Sequence, residues 1–191
     1  MGWYPFNPTA YRTIKVTAGT LDQAFTAHEH IVAALGATKV PLATVTLTTP
    51  TVHAASTTFL LQPDVPRNII LTGNAGANEA VTVNGKASDG VTAVQEVFTL
   101  DGTTPQVGAK AFKTFTSVTY VAGTHTCAFV LGDVLGLHAK LDGNNIKVAW
   151  NFDKAAETGT LATSATVLAS NTYTAAGTLN GTKPVDLWYL V

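Results

Sequence analysis

The chain has 191 residues, with 11 Lys and Arg against 12 Asp and Glu and a formal net charge of -1. So even a balance supplies no basic stripe to neutralise phosphates, which argues against nucleic-acid binding, and no run of about 18 apolar residues is present to span a membrane as a helix. Charged residues make up only 12% of the chain, against about 25% in ordinary soluble domains.

Threonine fills about one position in six, and the mean hydropathy is +0.22. A surface this neutral loses the repulsion that keeps proteins apart, so much of it is expected to lie in contacts. A single domain of this length buries roughly 70% of its unfolded surface and needs no disulfide. With one cysteine, Cys127, no internal disulfide can form, as expected of a protein made in a reducing cytoplasm. Met1-Gly2-Trp3-Tyr4-Pro5 has neither the basic nor the apolar region of a signal peptide.

In chain order, Trp3, Tyr4, Pro5, Phe6 and Pro8 open an extended arm, assigned to residues 1–20, because two prolines within four residues oppose helix. Its aromatics need a docking surface, on this domain or on a neighbour. Residues 20–36 read as one short helix. Thr20 and Gln23 form a capping box, Leu21, Ala24, Phe25, His28, Val32 and Leu35 recur at helical spacing, and Gly36 is a C-terminal stop. Strands then follow at Val45–Leu47 and Thr57–Leu61, so 21–64 leads into the main domain at 65–191. Pro63, Asp64 and Pro66 mark the junction. Further strands are expected at Asn68–Thr72, Ala80–Asn84 and Val91–Leu100, the last two joined in a hairpin by Ser88-Asp89-Gly90. Lys110–Val121 alternates, with Phe112, Thr114, Thr116, Val118 and Tyr120 on one side and Phe115 and Val121 on the other. Thr126–Leu131, Asn145–Phe152, Thr160–Leu168, Thr172–Thr174 and Val185–Val191 complete the set. Short strands at regular spacing predict an all-β fold, an antiparallel β-sandwich or barrel-like domain with an N-terminal arm.

Chemistry-bearing patterns are sparse. His28 and His30 would share a face on a strand but diverge on a helix, and two imidazoles fall short of a zinc ligand set. Cys127 lies two residues after His125 in a strand-like run, with no third group to orient the pair. The five serines, among them Ser56, Ser88 and Ser117, lack a G-x-S-x-G setting. Gly73-Asn74-Ala75-Gly76 reads as a hairpin loop, not a phosphate cradle. Asp89, Asp101, Asp133 and Asp142 read as turn residues. The expectation is a protein without catalytic residues, cofactor or metal.

One ordered set of motifs carries a resemblance. Pro63-Asp64-Val65-Pro66-Arg67-Asn68-Ile69 resembles a "PDVPRNI" junction in a family of tailed-phage virion proteins. Ile70–Ala75 is similar to that family's first strand and loop, and Val94–Thr104 (VQEVFTLDGTT) to its "ITETIALNGTT" strand. Gly108–Val118 (GAKAFKTFTSV) is similar to its "GxKAFKTVTSI" segment. Gly132–Leu137 resembles "GDKLGLP", with His138 in place of the proline. Thr172–Leu190 is similar to its closing "TYTP…NGTKDYxVxY" stretch, with Ala175 in place of proline. The resemblance spans residues 63–191.

It implies a structural component of a phage particle, encoded near capsid genes: a head decoration or cement protein, a homotrimer on the capsid surface, bound to the major capsid protein and to copies of itself. The residues expected at protein contacts are Trp3, Tyr4 and Phe6 in the arm and Pro63, Pro66 and Arg67 at the junction, since interface centres favour aromatics and deplete charge. Two alternatives stand beside it. One is a tail, neck or head-fibre module. The other is a carbohydrate-binding β-sandwich in which Trp150, Trp188 and Tyr189 form a sugar platform, where otherwise they would fill a core or an interface.

Overall fold

The computed structural model describes residues 12–15, 25–31, 39–47, 53–54, 59–143, 146–151, 158–177, 179 and 185–190. They form β1 (Arg12–Lys15), β2 (Phe25–Ile31), β3 (Val45–Thr46), β4 (His53–Ala54), β5 (Arg67–Gly73), β6 (Ala80–Lys86) and β7 (Ala93–Thr99). Then come β8 (Gln106–Val107), β9 (Thr114–Tyr120), β10 (Thr126–Gly136), β11 (Ile146–Asn151), β12 (Thr160–Ala162), β13 (Thr172–Thr174) and β14 (Val185–Leu190). A 3-10 turn, Leu168–Ser170, precedes β13. The fold is all-β and its ladders are antiparallel.

Three sheets result. One has the order β1-β2-β14-β11, a second β12-β13-β10-β5-β8 with β3 also on β10, and a third β4-β9-β6-β7. Period-2 burial makes the layers. In β6, Val81 and Val83 point inward while Ala80, Thr82 and Asn84 stay half-exposed, the pattern of a sheet wet on one side. These valines meet Phe98 of β7 and Phe115, Val118 and Tyr120 of β9. Opposite them stand Ile69 and Leu71 of β5 and Cys127, Phe129 and Leu131 of β10, closing a sandwich core. A second core gathers Leu135 of β10, Tyr173 of β13, Val185, Leu187 and Tyr189 of β14, and Ile31 of β2. β10 serves both, changing cores where its register against β5 shifts between Leu131 and Leu135.

Several expectations need correction. The helix over 20–36 is absent where the chain is described: Phe25–Ile31 is a strand, with β1 on one side and β14 on the other. Its apolar spacing fits a helix, but partners on both edges satisfy its backbone in a sheet, and tertiary context overrides local periodicity. The same pairing places Arg12–Lys15, within the expected arm, in a sheet. β9 begins at Thr114, not Lys110, and does not keep one alternation. Asn84 faces Ser117 and Gly85 faces Phe115, so Thr116 is an extra residue. This bulge puts Phe115 on the buried side with Val118 and Tyr120, and leaves Thr116 exposed. The strand expected over 160–168 stops at Ala162. Of 57–61, residues 57 and 58 lie outside the described residues, and Phe59 forms an isolated bridge to Leu42.

Candidate functional site

The junction read from the sequence turns out to be an internal lock. Pro63, Pro66, Arg67 and Asn68 are all buried. The Arg67 side chain is 0% exposed, with Nη1 3.4 Å from Asp64 Oδ1 and Nη2 3.6 Å from Asp133 Oδ1. Its Nε donates to the Gly132 carbonyl at 2.9 Å. Asn68 donates to Gly108 O at 2.8 Å and accepts from Val134 N at 3.0 Å. Gly132 and Val134 lie where the register of β10 against β5 shifts, which frees backbone groups, and the two side chains satisfy them. A Cβ at Gly132 would overlap the Asn68 amide and push it off these bonds. Burial lowers the Arg67 pKa against the pull of Asp64 and Asp133, and burial likewise raises that of Asp133 against the pull of Arg67. Pro63, Pro66 and Arg67, expected as partner contacts, thus face the chain's own interior. Trp3, Tyr4 and Phe6 lie outside the described residues.

Other resembling motifs converge on the same place. Phe112 exchanges backbone bonds with Arg67, Ala111 N donates to Ala169 O, and Gly136 N donates to Pro66 O. Lys113 Nζ reaches Asp64 O at 3.2 Å. Asn171, fully buried, donates to the carbonyls of Ser164, Val167 and Leu168 and accepts from Leu141 N and Ser164 N. Compared with known proteins, the chain matches no family model, no curated protein and no solved structure.

His125 gains a partner that the sequence did not show. Glu79 Oε1 sits 2.7 Å from His125 Nδ1 and accepts from Thr124 N at 3.2 Å. Burial pushes the Glu79 carboxyl up, but hydrogen bonds from His125 and from the amides of Glu79 and Asn78 outweigh it, and its pKa is lowered. Gly123 leaves the space the carboxylate fills. The arrangement pins the loop before β10 to the loop before β6. The thiol is a poor nucleophile: Cys127 is 0% exposed, and burial drives its pKa up to about 12, so thiolate is scarce near neutrality. Nothing in the sequence flagged Glu79.

Among the described residues, no cluster of three His, Cys, Asp or Glu side chains is placed to hold a metal. Trp150 and Trp188 occupy positions in β11 and β14. Tyr189 is 0% exposed in the second core and so is not part of a sugar platform. Ser88 is buried and donates to Leu137 O, and Asp89 caps the amides of Val91 and Thr92.

What lies open is a neutral surface. The outward positions of the third sheet include Thr82, Asn84, Gln95, Val97, Thr99, Ser117 and Thr119, with Lys86 the one charged side chain, at the end of β6, where it donates to Val91 O. A side-chain ladder crosses three strands: Gln95 donates to Asn84 at 2.9 Å, and Asn84 to Ser117 at 3.1 Å. Val91, Val97, Val107 and Val121 are each at least 60% exposed. Single exposed valines are ordinary, but several on low-charge sheet edges and turns suit surface contact.

Proposed function

We propose that the chain is a non-enzymatic structural protein of a tailed-phage particle, a decoration or cement protein on the capsid surface. It binds the major capsid protein and copies of itself. The observation that carries this reading is the neutral outer face of β6, β7 and β9, with exposed Gln95, Val97 and Thr99 on β7. A face with so few charges joins another with little charge to desolvate, which is where interfaces lose energy. The resemblance over residues 63–191 supports the same reading. Cross-linking capsid subunits through such contacts would raise the barrier to their rupture. Trp3, Tyr4 and Phe6 would supply a second contact element, with Pro5 and Pro8 reducing the backbone freedom lost on docking.

Immunogold labelling of intact particles with an antibody to the chain tests the assignment. Label on the head surface is the expected result. Label on the tail or neck would favour a tail, neck or head-fibre module, and absence of the chain from purified particles would refute the virion reading. Deleting residues 2–8 should lower capsid occupancy and leave the circular dichroism spectrum of the isolated chain unchanged.

A further inference from the structure

We propose that two copies of this chain join through β7, edge to edge and antiparallel, about a two-fold axis at Val97, and that Lys110 is the clasp that must let go for them to pair. The proposal rests on the self-association reading above and names its surface.

The backbone decides which way β7 faces. Val121 N donates to Ala80 O, and Leu100 N donates to Glu79 O. Ala80, Thr82 and Asn84 therefore turn their backbone groups toward β9, and Val81, Val83 and Gly85 turn theirs toward β7. Opposite these stand Phe98, Glu96 and Val94. In an antiparallel ladder a residue directs its N–H and C=O to the same side, alternating along the strand. Ala93, Gln95, Val97 and Thr99 thus aim both groups away from β6, and among the described residues no strand pairs there. One contact demonstrates it: Lys110 Nζ donates to Gln95 O at 2.6 Å. A lysine over a sheet edge is a recognised guard against unwanted pairing.

The edge fits its own copy. Gln95, Val97 and Thr99 are exposed and uncharged, with Val97 at 60%. Pairing of like surfaces demands self-complementarity. An axis at Val97 sets Val97 against Val97 and Gln95 against Thr99, each pair exchanging both N–H···O bonds, while Glu96 falls opposite Phe98. An axis one residue earlier would set Glu96 against Glu96, and like charges directly opposed are destabilising. Glu96 itself stays on the core side, accepting from Ala109 N at 2.7 Å. In the favoured register the Thr99 amide of the second copy takes the Gln95 carbonyl that Lys110 now holds, so clasp and partner compete. The product is a dimer, a departure from the trimer that the resemblance implies.

The test uses the full chain in sedimentation equilibrium, with Val97→Arg, Lys110→Met and Val97→Cys. Dimerisation is expected in the wild type. Val97→Arg, which opposes two cations at the axis, should weaken it at least about 10-fold, and Lys110→Met should tighten it about 3- to 10-fold. Mild oxidation of Val97→Cys should give a disulfide-linked dimer, because a hydrogen-bonded antiparallel pair holds Cα atoms about 5.5 Å apart, inside disulfide range. Cys127, 0% exposed, does not compete. Thermal melts control for folding. Val97→Pro adds a second probe, since the N–H it deletes points outward and leaves the ladder to β6 intact, and should abolish the dimer while the chain still folds, its ring costing the monomer some stability through the fixed φ. If copies associate but ignore Val97→Arg and leave Val97→Cys unlinked, the β7 contact is overturned and self-association stands on another surface. A chain that stays monomeric with Val97→Cys unlinked overturns both, leaving the particle assignment to the labelling experiment. The same oxidation applied to purified particles carrying Val97→Cys checks the occupant there: a crosslink to a different particle protein overturns the second copy.

Discussion

A buried arginine beside two carboxylates is weak evidence for stability by itself, since desolvating the charges costs about as much as their attraction returns. Arg67 differs in what its Nε does: it holds the Gly132 carbonyl where the register of β10 shifts. Arg67→Met should therefore leave Asp133 and that carbonyl without their cation and cost about 3–5 kcal/mol. Asn68→Ala, which strands Val134 N and Gly108 O, should cost about 1–3 kcal/mol. Urea denaturation measures both. Glu79 supplies a pH signature. Its carboxyl pKa is lowered in the folded chain, so it contributes stability above the unfolded value of about 4.3 that is lost as pH falls through the folded value. Glu79→Gln should be less stable than wild type at neutral pH, and the gap should close as the pH drops below about 4, read from denaturation midpoints along the series.

At the scale of the strand, the bulge in β9 sets how β6 and β9 meet. Thr116 is the additional residue, and opposite it Gly85 leaves room for Thr114 O and the Phe112 ring. A Cβ at position 85 would run into backbone on the Thr114 side, which cannot swing aside as a side-chain tip can. Gly85→Ala should destabilise by about 1–3 kcal/mol, measured by chemical denaturation. The edges show the opposite tolerance. Among the described residues no strand ladders onto the outward backbone of β7, where Lys110 Nζ holds the Gln95 carbonyl, whereas β6 is laddered on both sides, so the exposed valines of the rim can change without disturbing the core while those of β6 cannot.

For the whole molecule, β10 is the element that makes one protein of two cores. Leu131 belongs to the core shared with β5, β6, β7 and β9, and Leu135 to the core shared with β13 and β14. Truncation at Leu135, which is 0% exposed, should cost about 2–5 kcal/mol. Because one continuous strand feeds both cores, Leu135→Ala should shift a single transition, with far-ultraviolet circular dichroism and tryptophan fluorescence giving coincident midpoints. Separate midpoints would show that the cores melt independently.

The sequence by itself determined the all-β class, because period-2 alternation and turn residues at Ser88-Asp89-Gly90 are local signals that need no partner to be read. It also marked Pro63–Ile69, Gly108–Val118 and Gly132–Leu137 as special segments. What they are special for was decided by tertiary structure: side chains distant along the chain meet around the register shift in β10, and no spacing rule encodes that meeting. The strand at Phe25–Ile31 was hidden for the same reason, since its backbone is satisfied by β14, more than 150 residues away. Glu79 acquires its role only through His125 and Thr124. The outward set of β7 follows from which residues hydrogen-bond to β6, a phase that alternation in the sequence suggests but only the ladder fixes.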